Sequence, residues 1–183
     1  KNAVVPVTNN ESPQYVDVDG DGRRELVYGD SANRIAAARP QANPLVEWQA
    51  TPISAPGDVK VERFYHGLGM GDVNKDGRED VLTPAGWWER PAADGTRSVP
   101  TTLEAWAFHP AAFGQALAQM YVYDFDGDGD NDVVGSSAHR RGIWWYEQDG
   151  KEWKTHLIDE SIAQTHALVL ADMNGDGLPD LVT

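Results

Sequence analysis

Short apolar runs alternate with glycine, proline and aspartate along almost the whole chain. Runs of this length, rich in Val, Leu, Tyr and Trp, predict β-strands, and the residues between them predict turns. The order also repeats: an apolar run such as residues 167–171, an Asp-rich loop, a β-branched run, an aromatic run such as residues 143–147, and an edge run. Only residues 111–120 have a helix-like pattern, and there we predict a short helix. The chain is otherwise predicted to be all-β.

The Asp-rich loop is the best-defined part of this repeat. It occurs four times with the pattern D-x-[DN]-x-D-G-x-x-[DE], starting at intervals of 55, 52 and 48 residues, at Asp17, Asp72, Asp124 and Asp172. Four antiparallel strands in about 50 residues are typical of one β-propeller blade. We therefore expect residues 1–183 to form a single propeller region of about three blades and the start of a fourth. Because propellers close with four to eight blades, we expect this region to belong to a larger propeller of about seven.

Carboxylates and amides stand at alternate positions of each loop, where their oxygens can face one ion. Hard oxygen ligands in this number suit Ca²⁺, and glycine at position six permits a sharp turn. The predicted side-chain ligands are Asp17, Asp19, Asp21 and Glu25; Asp72, Asn74, Asp76 and Asp80; Asp124, Asp126, Asp128 and Asp132; and Asp172, Asn174, Asp176 and Asp180. A backbone carbonyl is predicted at position seven, from Arg23, Arg78, Asp130 and Leu178. The alternative is a set of turns without metal, since Asp, Asn and Gly also favour turns.

The last acid of each loop excludes an EF-hand. An EF-hand has a bidentate Glu at position twelve and helices on both sides, whereas position twelve here is never acidic and a strand pattern follows position nine. The loops instead resemble the FG-GAP or VCBS repeats of integrin α heads and many secreted bacterial proteins. This resemblance implies about one Ca²⁺ per loop and an extracellular, periplasmic or cell-surface location. Glu25 departs from the pattern, because the family usually has Asp there.

A second candidate site lies about six residues before each loop. In a blade whose innermost strand runs toward the metal loop, these positions fall near the mouth of the central channel. They are Glu11, His66, Ala118 with Gln119 beside it, and His166. The turn at residues 136–141 is expected on the same face and adds His139. Glu11, His66, His139 and His166 are our candidate catalytic residues, able to hold a transition metal or to transfer protons. The alternative is that each histidine only hydrogen-bonds nearby backbone.

Charge and composition restrict the partners. The net charge of −14 repels nucleic acid and anionic membranes and attracts cations. The absence of cysteine excludes disulfides and thiolate chemistry, and no apolar run is long enough for membrane insertion. We expect a glycan or protein ligand, together with further blades or domains of the same protein.

An enzyme acting on carbohydrate, a lyase or hydrolase, is the alternative function. The H-x₅-D-x-[DN] segments at His66 and His166 distantly resemble sugar lyases of the aldos-2-ulose dehydratase type. The Trp87-Trp88 and Trp144-Trp145 pairs invite sugar stacking. Because neighbouring residues of a strand point to opposite faces, however, one member of each pair is expected in the core.

Overall fold

The computed structural model describes residues 4–57, 64–92, 106–114 and 117–183. In these ranges the chain forms strands, turns and loops and contains no helix. Accordingly, none of the described residues belongs to a helix capable of spanning a membrane. The fourteen strands follow the repeat found in the sequence.

Three antiparallel four-stranded units, here called blades 1 to 3, are followed by a strand pair. Blade 1 contains β1 Gln14–Val16, β2 Glu25–Gly29, β3 Ile35–Arg39 and β4 Gln49–Pro52. Blade 2 contains β5 Leu68–Gly71, β6 Asp80–Thr83, β7 Gly86–Glu89 and β8 Ala107–Pro110. Blade 3 contains β9 Leu117–Tyr123, β10 Asp132–Ser137, β11 Arg141–Asp149 and β12 Glu152–Ala163. The final pair is β13 Val169–Ala171 with β14 Asp180–Val182.

Each blade places its strands side by side in chain order, and each Asp-rich loop joins the first strand to the second. The innermost strands of blades 2 and 3, β5 and β9, also pair with each other in parallel, with Gly69 opposite Met120. This pairing makes blades 2 and 3 one eight-stranded sheet. The innermost strands of blades 2 and 3 therefore lie side by side, as the propeller prediction requires.

The hydrophobic core consists of layers between successive blades. Val27 and Ile35 of blade 1 pack with Val81 and Trp88 of blade 2. On the other side of blade 2, Trp87 packs in a second cluster with the first strands of blade 3. The two tryptophans thus face opposite ways, as alternation along a strand predicts, and both are buried. Neither is free to stack on a sugar.

The predicted helix at residues 111–120 is wrong. Residues 111–114 have no regular structure, residues 115 and 116 lie outside the described part, and β9 begins at Leu117. The apolar residues here serve sheet pairing, because β9 is bonded to β5 on one side and to β10 on the other. Helical periodicity in a short apolar run does not distinguish a helix from a buried strand, and tertiary pairing decided the outcome.

Candidate functional site

The four Asp-rich loops, called loops 1 to 4 and spanning residues 17–25, 72–80, 124–132 and 172–180, share one hydrogen-bond pattern. In each loop the backbone N–H of position five donates to the side chain of position three, at 2.8–3.2 Å. The N–H of position seven likewise donates to the Asp at position five, at 2.8–2.9 Å. The repeat inferred from residue types is therefore also a repeat of local geometry.

The acid at position nine has a structural role that the ligand pattern did not predict. In every loop one of its oxygens accepts a hydrogen bond from the backbone N–H of position two, at 2.9–3.2 Å. Glu25, Asp80 and Asp132 are also buried, and burial raises the pKa of each, that of Asp80 to about 7. These hydrogen bonds join the start of each loop to the first residue of the second strand of the blade.

The first acid of the loop is held differently, because it is more exposed and surrounded by donors. Asp172 accepts from the backbone N–H groups of Gly175 and Gly177 at 2.7 and 2.9 Å, and these bonds lower the pKa of its carboxyl. Lys75 of loop 2 donates to Asp124 of loop 3 at 2.9 Å and lowers the pKa of that carboxyl. Both groups are thus held as carboxylates, the protonation state that a calcium ligand needs.

Polar contacts also connect neighbouring loops. Besides the Lys75–Asp124 bond, Asn131 Nδ2 donates to the carbonyl of Asp72 at 2.6 Å. Arg90, which follows the third strand of blade 2, donates to the carbonyl of Asp19 in loop 1 at 3.0 Å. The loops thus form a connected polar edge along blades 1 to 3.

Three histidines meet away from these loops. The ring centroid of His66 lies 4.8 Å from that of His139 and 5.3 Å from that of His166, and the latter two rings are 5.4 Å apart. One nitrogen from each ring lies within 4.8 Å of the others. His66 precedes blade 2, His139 lies in the β10–β11 turn of blade 3, and His166 precedes the final strand pair. The structure thus brings together the three histidines selected from the sequence, which we call the histidine cluster.

Backbone contacts fix the position of the cluster. The N–H of Gln164 donates to the carbonyl of Arg140 at 2.9 Å, which ties the segment of His166 to the turn of His139. Phe64 and Gln164 both have positive φ, 70° and 56°, and each stands two residues before a histidine of the cluster. A non-glycine residue in this region is strained, and such strain concentrates at functional sites.

Glu11 joins the cluster through His66. The N–H of Glu11 donates to the carbonyl of Tyr65 at 2.8 Å, which brings its carboxylate to 3.0 Å from His66 Nε2. His66 is 8% exposed, and this buried nitrogen has no hydrogen bond despite the nearby carboxylate. Burial lowers the pKa of His66, Glu11 opposes this effect, and the two neighbouring histidines add to it. His66 is therefore held as a neutral imidazole.

A pocket of about 280 Å³ opens beside the turn that carries His139. Arg140, Trp144, Tyr146 and Thr155 line it, together with small residues of the 111–114 segment. Arg141 also lines it, but donates to the carbonyl of Ser161 at 3.1 Å. Within the described part of the chain, the guanidinium of Arg140 has no ion pair or hydrogen bond. The pocket thus combines aromatic surface with an unpaired cation.

Other polar residues near the predicted channel mouth do not join the histidine cluster. Gln119, with no histidine beside it, accepts a hydrogen bond from Gln14 at 3.1 Å along the innermost strands. Ser136 and Ser137 precede His139 but are fully buried, and Ser136 donates to the carbonyl of Thr165 at 2.9 Å. These serines do not form a nucleophilic site.

Edge-strand histidines form a separate, repeated arrangement. His109 stacks on Trp87 at 4.2 Å and bonds Glu89 at 2.8 Å. The equivalent His156 stacks on Trp145 at 4.4 Å and bonds Glu147 at 2.7 Å. Because each histidine already has a stacking partner and a polar partner on the third strand, we interpret this arrangement as structural, linking the third and fourth strands of the blade.

A family model described as an FG-GAP-like repeat matches residues 17–83 and 124–183, more than half of the chain and all four loops. The chain belongs to the FG-GAP-like repeat family. The resemblance inferred from the loop pattern is thereby confirmed. No curated protein matches the sequence of this FG-GAP-like repeat protein.

A solved structure supports the same fold. It is that of an Agrocybe aegerita lectin, described as the basis of specific recognition of non-reducing terminal N-acetylglucosamine. The two chains share 16% sequence identity with a TM-score of 0.55, and the match covers 93% of this FG-GAP-like repeat protein and 45% of the lectin chain. The sequence thus spans less than half of the lectin's length, and the likeness shows a shared β-propeller fold.

Proposed function

We propose that this protein is a calcium-stabilised β-propeller that binds carbohydrate at the histidine cluster, and that the cluster holds a divalent transition metal. The observation that carries the proposal is the convergence of His66, His139 and His166, three imidazoles from three separate segments. Imidazole nitrogen suits zinc and related metals, and three protein ligands leave a position for a ligand atom.

Two further observations indicate that the three imidazoles are suited to such a metal. His66 Nε2 is buried and lies 3.0 Å from the Glu11 carboxylate without a well-formed hydrogen bond, so a cation beside it would be partnered by both groups. Nδ1 of His166 lies 2.9 Å from the carbonyl of Gln164, an arrangement that fixes a proton on Nδ1 and leaves Nε2 to act as a ligand. A bound ion would supply Lewis acidity toward a sugar oxygen. The chain itself orients the rings and limits the access of water to His66.

The adjacent pocket supports carbohydrate as the ligand. Its volume is near the lower end of ligand pockets, which are about 300–1,000 Å³. Trp144, which is half-buried, offers an aromatic wall, and the unpaired Arg140 offers donors to hydroxyl or acidic groups. The lectin with the similar fold is described as recognising N-acetylglucosamine, but the proposal rests on the residues of this chain.

Calcium in the Asp-rich loops is the structural part of the proposal. Asp124, Asp126 and Asp128 have carboxylate oxygens within 4.8 Å of one another, and such crowding of like charges favours a bound cation. EF-hand loops of extracellular modules bind calcium with Kd of about 10⁻⁴–10⁻³ M, and we expect an affinity in that range for these loops. We therefore place the protein in a calcium-rich setting, extracellular, periplasmic or at the cell surface.

Binding to an array of immobilised glycans, with zinc or with a chelator, tests the ligand site. His139→Ala and His166→Ala should each lower binding more than tenfold and reduce bound zinc. His156→Ala is the matched control, because His156 is a partly exposed histidine away from the cluster, and it should change neither quantity. Unchanged glycan binding in both cluster variants, or zinc retained by them, would refute the proposed site.

A carbohydrate lyase or hydrolase is the second candidate, favoured by one observation. The exposed Glu11 carboxylate lies 3.0 Å from a neutral His66, which is a pair suited to proton transfer. Incubation with the glycans that bind, followed by mass spectrometry of the products, distinguishes the two functions. Cleavage by the parent protein that Glu11→Gln abolishes while binding persists would establish the enzyme; intact glycans would leave a binding protein.

A further inference from the structure

Loop 1 differs from the other loops in the residues that surround its ninth position. Strand register aligns the blades: Leu26 pairs with Ala38, Val81 with Trp88, and Val133 with Tyr146. The next residue along each third strand is therefore equivalent in the three blades. These residues are Arg39, Glu89 and Glu147, followed by Pro40, Arg90 and Gln148.

In blades 2 and 3 the backbone after the third strand binds the ninth acid. The N–H of Arg90 donates to Asp80 Oδ1 at 2.9 Å, and the N–H of Gln148 donates to Asp132 Oδ1 at 2.9 Å. Blade 1 has Pro40 at this position, and proline has no N–H to donate. The ninth acid of blade 1 is the longer Glu25, whose Oε1 instead accepts from Arg39 Nε at 2.8 Å.

Arg39 does more than replace this one donor. Its guanidinium also contacts Asp21 Oδ2 at 3.0 Å, Glu25 Oε1 through Nη2 at 2.7 Å, and Asp19 Oδ2. Three of the four acids predicted to bind calcium in loop 1 thus surround one side chain. The equivalent Glu89 and Glu147 instead bond edge-strand histidines. Cations also contact single acids of the other loops, since Arg78 pairs with Asp76 and Lys75 with Asp124. Loop 1 has the same crowding of acids as loop 3, but among the described residues it is the loop in which one guanidinium contacts several of them.

We propose that Arg39 takes the place of calcium in loop 1, so that this loop stays closed without a metal while loops 2 to 4 bind one ion each. The inference rests on the proposed calcium sites of the other loops. A guanidinium offers five donors in a fixed plane, and carboxylate oxygens engaged by it are not available to Ca²⁺. Two further guanidinium groups lie beside loop 1: Arg23 pairs with Asp21 Oδ2 at 3.0 Å, and Arg90 donates to the carbonyl of Asp19 at 3.0 Å.

Calcium counting on the whole chain tests this inference. Chelator-treated protein is titrated with calcium chloride by isothermal titration calorimetry, and the bound ions are counted by native mass spectrometry. The parent protein should bind three ions. Arg39→Gln, which keeps a polar side chain but removes the charge, should bind four. As a control, Asp128→Ala should lower the parent count by one, because it removes an exposed predicted ligand of loop 3.

Each result has one meaning. Four ions in the parent, or an unchanged count in Arg39→Gln, would overturn the inference. A parent protein that binds no ion would overturn the proposal of calcium in loops 2 to 4. The role of Arg39 would then be decided by Arg39→Gln alone: one additional bound ion would support it, and no additional ion would overturn it. If Arg39→Gln unfolds without metal, calcium-dependent recovery of its melting transition is the readout, and Arg39→Lys, which retains a charge, should show no such dependence.

Discussion

Gly69 permits the close approach of two blades, and replacing it tests how they are joined. It lies in β5 opposite Met120 of β9, in the parallel ladder that unites blades 2 and 3. A Cβ at this position would stand 2.6 Å from Met120 Cβ and 2.9 Å from the Met120 carbonyl oxygen. Since carbon atoms in contact prefer about 3.5–4.0 Å, the strands would have to separate by roughly an ångström.

The size of the effect follows from this geometry. Overpacking costs about 1–3 kcal/mol, and the obstacle here includes backbone, so we expect Gly69→Ala to lose about 3 kcal/mol. In a chain of this length each kcal/mol corresponds to about 2–4 °C, so Tm should fall by about 6–12 °C. Without the clash the sign would reverse, because alanine in a strand is about 0.5–1 kcal/mol more favourable than glycine.

Urea unfolding followed by tryptophan fluorescence measures this loss. Gly150→Ala is the control: Gly150 has φ 63° and nothing within 4 Å of a new Cβ, so only backbone strain of about 1–2 kcal/mol is expected. Gly69→Ala should therefore be the more damaging substitution, although its φ is not in the left-handed region. A Gly69→Ala protein as stable as the parent would refute the argument that close strand approach requires this glycine.

Three further outcomes are expected. Arg90→Ala should lose about 1 kcal/mol in urea unfolding, because the half-buried bond to Asp19 joins two blades; no loss would mean that solvent screens this contact. Ser54→Ala should lose about 1–3 kcal/mol, because its hydroxyl accepts the buried N–H of Ile35 at 2.8 Å, and a neutral result would place water there. Burial raises the pKa of Tyr146 to about 12, so the folded state resists its ionisation and stability should fall as pH rises from about 10 through 12. Tyr146→Phe should make this alkaline fall in the free energy of unfolding shallower, and an unchanged slope would contradict the shift.

Local patterns made the loops and the blade repeat predictable. Asp, Asn and Gly at fixed spacing determine turn geometry within a few residues, and the four loops accordingly share their hydrogen bonds. The histidine cluster was also predictable from the sequence, because positions at a constant offset from the loops occupy equivalent places on successive blades. The constant offset predicts His66 and His166, and the turn after the second strand of blade 3 adds His139.

Contacts between distant residues could not be predicted in the same way. Arg39 is the last residue of β3 and stands 14 residues after Glu25 in the chain, although Glu25 in place of Asp and the neighbouring Pro40 indicate that loop 1 differs from the other loops. The pocket beside Trp144 depends on how blade 3 meets the 111–114 segment. Strand β9 was partly mistaken for a helix because its identity depends on pairing with two other strands.

The parallel ladder between β5 and β9 also divides the backbone into units of unequal cooperativity. Blades 2 and 3 share continuous main-chain bonding in one sheet, whereas blade 1 forms a separate sheet. Blade 1 is joined to blade 2 by main-chain bonds at residues 9–11 and 64–65, by side-chain bonds such as that from Arg90 to the Asp19 carbonyl, and by core packing. Amide groups protected by one cooperative unit exchange with solvent through the same opening event. Amide exchange across blades 2 and 3 should therefore report one shared opening, while the amides of blade 1, which belongs to a separate sheet, should report a second opening of their own.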